Sequence, residues 1–223
     1  MDLSDLKQDI PLQLFTILDK HGIDTLRPGQ EKAIKAGLLE DKNLLICTPT
    51  ASGKTLISEL AFVSNIMNKK GKGIYIVPLK ALATDKFRDF KEKYNDHFQI
   101  ALSIGDLDSA DPYLKEYDLI ITTSEKLDSL IRHSAPWLKD VKTVVVDEVH
   151  LLNDPSRGPT LEILLTMLRR MLKNVQIIAL SATIGNPKEL ADWLDATLVE
   201  DSWRPVKLHR GILFEKEVEF FDQ

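Results

Sequence analysis

Thr48-Pro-Thr-Ala-Ser-Gly-Lys-Thr55 is the stretch whose reading decides the fold. It follows the apolar run Asn43-Leu-Leu-Ile-Cys47 and precedes the helix-forming Leu56-Ile-Ser-Glu-Leu-Ala-Phe-Val63. A strand, a tight loop ending in Gly-Lys-Thr and then a helix is the context that makes a phosphate-binding loop credible. Backbone N–H groups of such a loop converge on one point, and the helix dipole adds positive potential there. In that loop Lys54 reaches the outer phosphates and Thr55 offers its hydroxyl to Mg²⁺. Gly53 lets the backbone approach without a side chain in the way. Pro49, Thr50, Ala51 and Ser52 form the turn, and Thr48 stands where the usual pattern has glycine.

Outward from the loop the chain alternates. Strands are expected at Gly73–Val77, Gln99–Ile104, Tyr117–Thr122, Thr143–Asp147 and Val175–Leu180. Helices are expected at Leu79–Tyr94, Ser124–Arg132 (with Ser124 as N-cap), Pro159–Leu172 and Pro187–Leu194. Short apolar strands separated by helices predict an α/β fold, a mostly parallel sheet with helices on both faces. Ligands then bind beyond the strand C-termini, where each motif below falls. Upstream, Pro11–Lys20 reads as an amphipathic helix with Leu12, Phe15 and Leu18 on one face. Pro28 opens a second helix carrying Ala33, Ile34 and Leu38. Gly105–Lys115 is the longest loop candidate. The tail reads as two strands, Trp203–His209 and Gly211–Phe221, forming a short C-terminal β extension.

Composition sets outer limits. At 223 residues, with 43% hydrophobic and 28% charged residues, the chain has enough apolar content for one large domain. A formal net charge of −5 argues against coating nucleic acid non-specifically, while leaving room for a local basic groove. One cysteine, Cys47, excludes an internal disulfide and fits a reducing compartment. Neither a signal-peptide pattern nor a membrane-length apolar run is present, so a soluble, cytoplasmic protein is expected.

The strand Val144-Val-Val146 ends in Asp147-Glu148. An acidic tip on a buried strand is the natural partner of a phosphate loop on a neighbouring one. Asp147 is placed to hold Mg²⁺ and Glu148 to orient an attacking water and take its proton. His150, two residues on, is a candidate coupling residue. Ser181-Ala-Thr183 offers two hydroxyls, those of Ser181 and Thr183, able to bond to the acidic tip and report nucleotide state. Gln30, at a helix start, carries an amide able to pair with a purine's two edge groups.

These residues also form an ordered pattern. Gln30, Thr48–Thr55, Pro78-Leu-Lys-Ala-Leu82, Thr122-Thr-Ser-Glu-Lys126, Asp147-Glu-Val-His150 and Ser181-Ala-Thr183 resemble motifs Q, I, Ia, Ib, II and III of superfamily 2 helicases. The chain resembles the first RecA-like, P-loop NTPase domain of such a helicase. More narrowly, Gly105-Asp-Leu-Asp108, Thr123–His133, Arg157-Gly-Pro-Thr-Leu-Glu162, Ser181–Pro187 and Trp203-Arg-Pro-Val206 are similar to the archaeal Hjm group of DNA repair helicases, related to HELQ. The resemblance implies ATP and Mg²⁺ as cofactors and ATP contacts from Gln30 and the loop. It implies DNA-strand contacts near Pro78, Leu79, Lys80 and Ala81, near Thr122, Thr123 and Ser124, and at Arg157. It implies 3′→5′ unwinding of forked or branched DNA in repair or replication restart, in a nucleoid-associated protein. On this resemblance residues 1–200 form the ATP-binding domain, with the Q-motif helices in residues 1–40. Residues 201–223 lead toward a second RecA-like domain.

Beyond Thr183 there is no second nucleotide-facing motif set and no glycine-flanked arginine pair. In the family these belong to the second RecA-like domain, whose arginine finger contributes about 10³–10⁵ in rate in related NTPases. The expectation is therefore weak ATP·Mg binding, very slow hydrolysis and no unwinding by this chain alone. Two other readings stay open: an RNA helicase of the same superfamily, and a nucleotide-binding scaffold without turnover. Lys80, Lys86, Arg132 and Arg157 are candidate phosphate-neutralising charges, of which Lys86 and Arg132 read better as solvated surface residues.

Overall fold

The fold is described from a computed structural model, for residues 1–105, 111–172, 174–207, 209–214 and 217–221. Seven strands form one wholly parallel sheet: β1 (Leu44–Cys47), β2 (Lys72–Val77), β3 (Ile100–Ser103), β4 (Leu119–Thr123), β5 (Val141–Val146), β6 (Gln176–Ser181) and β7 (Thr197–Glu200). Their order across the sheet is β3-β4-β2-β5-β6-β1-β7. The β5–β6–β1 neighbourhood matters most, because it sets the acidic strand tip two strands from the phosphate loop. The register Val146↔Ala179 and Cys47↔Ser181 brings the tips into line.

Side-chain alternation explains the two cores. Leu44, Ile46, Tyr75, Val77, Ile178 and Leu180 point to one face. There they pack against α1 (Leu12–Lys20), α2 (Pro28–Lys35), α3 (Lys54–Met67) and α4 (Lys80–Tyr94). Leu45, Cys47, Ile74, Ile76, Val144, Val146 and Ala179 point to the other, against α5 (Ser124–Arg132), α6 (Gly158–Met171) and α7 (Pro187–Leu194). Strands buried on both faces read as continuous apolar runs, which is why they were visible in the sequence.

Polar residues tie the layers together. On α3, Asn65 Nδ2 donates to Thr143 Oγ1 at 2.9 Å and to Gln176 Oε1 at 3.3 Å. Gln176 Nε2 in turn donates to the carbonyls of Leu38 and Lys42. Also on α3, Glu59 accepts from Lys93 Nζ and Tyr94 Oη of α4.

Several expectations are corrected. Strand β7 was missed: it is short, and only Val199 is buried in it. Helix α1 buries Leu14, Ile17 and Leu18, whereas Leu12 is 65% exposed, so the apolar face is rotated from the one expected. The N-cap of α5 is Thr123, whose hydroxyl accepts from the Lys126 N–H, and Ser124 is already helical. Pro112–Glu116 is a 3₁₀ turn within the expected loop. The Gly105-Asp-Leu-Asp108 match and residues 106–110 of that loop fall outside the described residues, apart from Gly105 itself. The tail hairpin pairs β8 (Arg210–Phe214) with β9 (Glu217–Phe221), so the single strand read from Gly211 to Phe221 is in fact both of its arms. Residues 203–207 carry no strand. Among the described residues no helix is long and apolar enough to cross a membrane.

Candidate active site

The loop between β1 and α3 is held by bonds from its own side chains. Lys54 Nζ donates to the Thr48 carbonyl at 3.0 Å and lies 3.5 Å from that of Pro49. The Thr48 and Ser52 hydroxyls bond to each other at 2.7 Å. That contact gives a physical role to the threonine standing in place of glycine: its hydroxyl closes the loop from inside. Gly53 sits at φ +93°, and a Cβ there would lie 2.5 Å from Gln30 Nε2. Both its conformation and its crowding call for glycine.

Gln30 is bonded at both ends of its amide. Its Oε1 accepts from the Arg27 N–H at 2.8 Å and its Nε2 donates to the Gly53 carbonyl at 2.9 Å. At 4% exposure it clamps the start of α2 to the loop, and each end of its amide keeps one further hydrogen-bonding position. Arg27 adds a second clamp, Nη1 to the Ala51 carbonyl at 2.7 Å, and its guanidinium lies 5.4 Å from the Trp203 ring. The sequence reading missed Arg27. Its position just ahead of Pro28 at a helix start was the available signal.

At the acidic tip, Tyr75 Oη donates to Asp147 Oδ2 at 2.9 Å and the Glu148 N–H to Asp147 Oδ1 at 3.0 Å. Glu148 holds a left-handed conformation, φ +54°, which costs free energy for a residue with a Cβ. His150 Nδ1 lies 3.4 Å from Glu148 Oε2, in ion-pair range when protonated but without a hydrogen bond. Lys86 joins the two halves of the site. Its Nζ donates to Thr55 Oγ1 at 2.8 Å and stands 5.8 Å from the Tyr75 ring centre. Contrary to the solvated surface charge expected from the sequence, it is half-buried at the site. Burial pushes the Lys54 ammonium below its ordinary pKa, with the charges of Glu148 and Asp147 opposing. Burial, then the charge of Glu200, pushes the Cys47 thiol up to about 11, consistent with an inert thiol.

The donor set suits a hard cation. Thr55 and Asp147 contribute oxygen, and a cationic nitrogen already bonds Thr55. Among the described residues no cluster of three His, Cys, Asp or Glu side chains could cage a metal. One carboxylate plus one hydroxyl is the pattern for Mg²⁺ carried in with phosphates.

Ser181 is buried at the end of β6, and its hydroxyl makes no bond to the acidic tip. Thr183 is exposed. The expected hydroxyl-to-carboxylate coupling is therefore not formed here. Pro78, Ser124 and Arg157 line one narrow cleft with Asp147 and Glu148. Leu79, Lys80 and Ala81 are exposed beside it, whereas Thr122 and Thr123 are buried, with Thr123 spent on its cap.

The DEAD/DEAH box helicase family model matches residues 27–190. The chain belongs to the DEAD/DEAH box helicase family. Among curated relatives, the ATP-dependent DNA helicase Hel308 of Methanocaldococcus jannaschii is 56% identical over 217 residues, 94% of this chain and 18% of that protein. Hel308 of Pyrococcus abyssi is 51% identical over 199 residues, 89% of this chain and 27% of that protein. The chain thus spans less than a third of these curated relatives. Among solved structures, the DUF1998 helicase MrfA bound to DNA and AMPPNP superposes with a TM-score of 0.76 at 28% identity, over 87% of this chain and 30% of MrfA. Mycobacterium smegmatis helicase Lhr bound to ssDNA and AMP-PNP gives 0.73 at 28% identity, over 89% of this chain and 28% of Lhr. The sheet and its flanking helices are the RecA-like fold of DEAD/DEAH box helicases.

Proposed function

We propose that this chain is the ATP-binding motor domain of an ATP-dependent DNA helicase that moves 3′→5′ on forked or branched DNA, in repair or replication restart. The observation that carries the proposal is the convergence of Lys54 and Thr55 with Asp147 and Glu148 at one sheet edge, joined through Lys86 and Tyr75. Thr55 and Asp147 would hold Mg²⁺, which when bound supplies charge to offset that developing on the phosphates. Lys54, released from the Thr48 carbonyl, pairs with the outer phosphates. Glu148 orients water and accepts its proton, and His150 lies within reach to sense that proton. Gln30 and the rest of the loop, Thr48 to Gly53, line the nucleotide. Ser181 and Thr183 act in coupling nucleotide state to the acidic tip. Pro78, Leu79, Lys80, Ala81, Thr122, Thr123, Ser124 and Arg157 form the strand path. Of these, Lys80 and Arg157 bring charge to phosphates, which gives affinity without base choice.

The Hel308 relatives support DNA over RNA as substrate. Their greater length supports a second RecA-like domain and further domains in the full-length protein, with residues 1–200 as the motor unit and 201–223 leading toward that second domain. The protein acts in the cytoplasm, at the nucleoid. Without the second domain's arginine the chain alone binds ATP·Mg weakly, hydrolyses it very slowly and unwinds nothing. The test uses full-length protein on a 3′-tailed DNA duplex and its RNA counterpart. DNA-dependent hydrolysis and unwinding are expected, and Glu148→Gln should lower hydrolysis about 10²-fold or more while nucleotide binding persists. Equal unwinding of the RNA duplex would overturn the DNA assignment. Undiminished hydrolysis in the variant would remove Glu148 from its role.

A further inference from the structure

Lys86 belongs to no motif used above, yet its ammonium bonds the very oxygen assigned to the metal. Nζ donates to Thr55 Oγ1 at 2.8 Å, with the ring centres of Tyr75 and Phe90 at 5.8 and 5.9 Å. Tyr75 passes the connection on to Asp147, the other metal oxygen, at 2.9 Å. A positive charge therefore already bonds one of the two oxygens that would receive a divalent cation, and Tyr75 stands between it and the other.

We propose that Lys86 is an internal stand-in for the metal: it holds the Thr55 oxygen that Mg²⁺ would take and must give that oxygen up for Mg²⁺ to bind. The proposal presupposes that Thr55 and Asp147 hold Mg²⁺, as set out above. Two physical facts drive the exchange. A metal on either lone pair of Thr55 Oγ1 would need room that the bonded ammonium fills, and an ammonium beside a divalent cation is repelled. The aromatic faces of Tyr75 and Phe90 give the displaced ammonium somewhere to rest.

The exchange reaches beyond the site because Lys86 lies on α4. Two polar ties fasten that helix to α3, beside the Phe90–Phe62 ring contact. Toward its C-terminal end, Lys93 and Tyr94 grip the buried Glu59 carboxylate, about one turn of α3 beyond Thr55. In its middle, Lys86 grips Thr55 in the first turn of α3. Only the second tie is broken by metal. Its loss loosens the half of α4 that begins at Lys80, about 9 Å along the helix from Lys86 and next to the exposed Leu79–Ala81 segment. Lys86 is thus a positioning residue that links metal loading to the segment proposed to meet DNA.

The sign of this role can be read without hydrolysis. A fluorescent adenosine diphosphate is titrated into the chain in EDTA and again in saturating Mg²⁺, for wild type, Lys86→Met and Lys86→Arg. In Lys86→Met the metal meets no competitor but metal-free phosphates lose a positive neighbour. The ratio of the EDTA Kd to the Mg²⁺ Kd should rise roughly five- to tenfold over wild type. Lys86→Arg, which keeps the cation, should stay near the wild-type ratio. Should Lys86→Met not fold, Lys86→Gln carries the same comparison with a neutral head group. An unchanged or lowered ratio in the neutral variants, with wild type binding nucleotide normally, overturns the stand-in role and leaves the nucleotide site intact. Failure of wild type to bind nucleotide under either condition overturns both together.

Discussion

Gly158 shows how much one missing side chain can carry. It opens α6 directly after Arg157, and a Cβ built there would lie 2.1 Å from the Leu152 carbonyl oxygen and 2.9 Å from its carbon. Those are backbone atoms, so the chain itself must move to admit a methyl group. Gly158→Ala should cost about 1–3 kcal/mol in urea denaturation. Gly185→Ala, where nothing lies within 4 Å, should change stability by less than about 0.5 kcal/mol. Equal effects at the two positions would mean that the Leu152 turn yields freely. In the sequence, Gly158 was legible only as part of a resemblance, because close approach between residues 152 and 158 has no signature in residue type. Lys86 was misread for a related reason. A lysine among Asp85, Arg88 and Asp89 looks like one more solvated helix charge, and only the turn of α4 over α3 reveals that it faces Thr55.

Helix α3 is the element on which both the fold and the site depend. Its first turn contains Lys54 and Thr55, and its last full turn carries Asn65 into the sheet. It was the most legible element, since the loop before it and the apolar run within it point to the same structure. What periodicity could not show is that Ser58, Glu59, Ser64 and Asn65 are buried too, each a polar residue in the interior of the layer. Asn65→Ala leaves Thr143 Oγ1 without its donor and takes one from Gln176 Oε1, for a loss of about 1–3 kcal/mol. Pairing Asn65→Leu with Thr143→Val removes both members of the closer bond, and chemical denaturation should show that double variant recovering part of the loss. No recovery would mean that the cost lies in packing volume instead. The same logic explains β7. Its register against β1 is set by neighbours rather than by its own apolar content, so four residues with one buried side chain gave no strand signal.

At the scale of the whole molecule, the sheet and its tail obey different rules. The seven-stranded sheet is covered on both faces, and its parallel order follows from the βα alternation that the sequence displays. The hairpin of β8 and β9 stands as a separate two-stranded sheet, a size that is marginal in water without further cover. Its described side chains are poorly hidden: Phe214 is 75% exposed, Phe220 61%, and Ile212 and Phe221 more than half. Cross-strand pairs share a face, so Ile212, Phe214 and Phe221 lie on one side and Phe220 on the other. No Gly, Pro, Asn or Asp stands between Phe214 and Glu217 to mark a turn, which explains why the sequence read as a single long strand. A ribbon of this kind drives self-association. Sedimentation of the chain over a range of concentrations should therefore show reversible oligomers, and the pair Phe214→Ser and Phe221→Ser should suppress them. The melting temperature of the sheet should stay within about 2 °C, because these rings add little to its two cores. A large fall in melting temperature would instead show that the aromatic residues of the hairpin are part of what holds the domain together, and that their exposure is lost in solution.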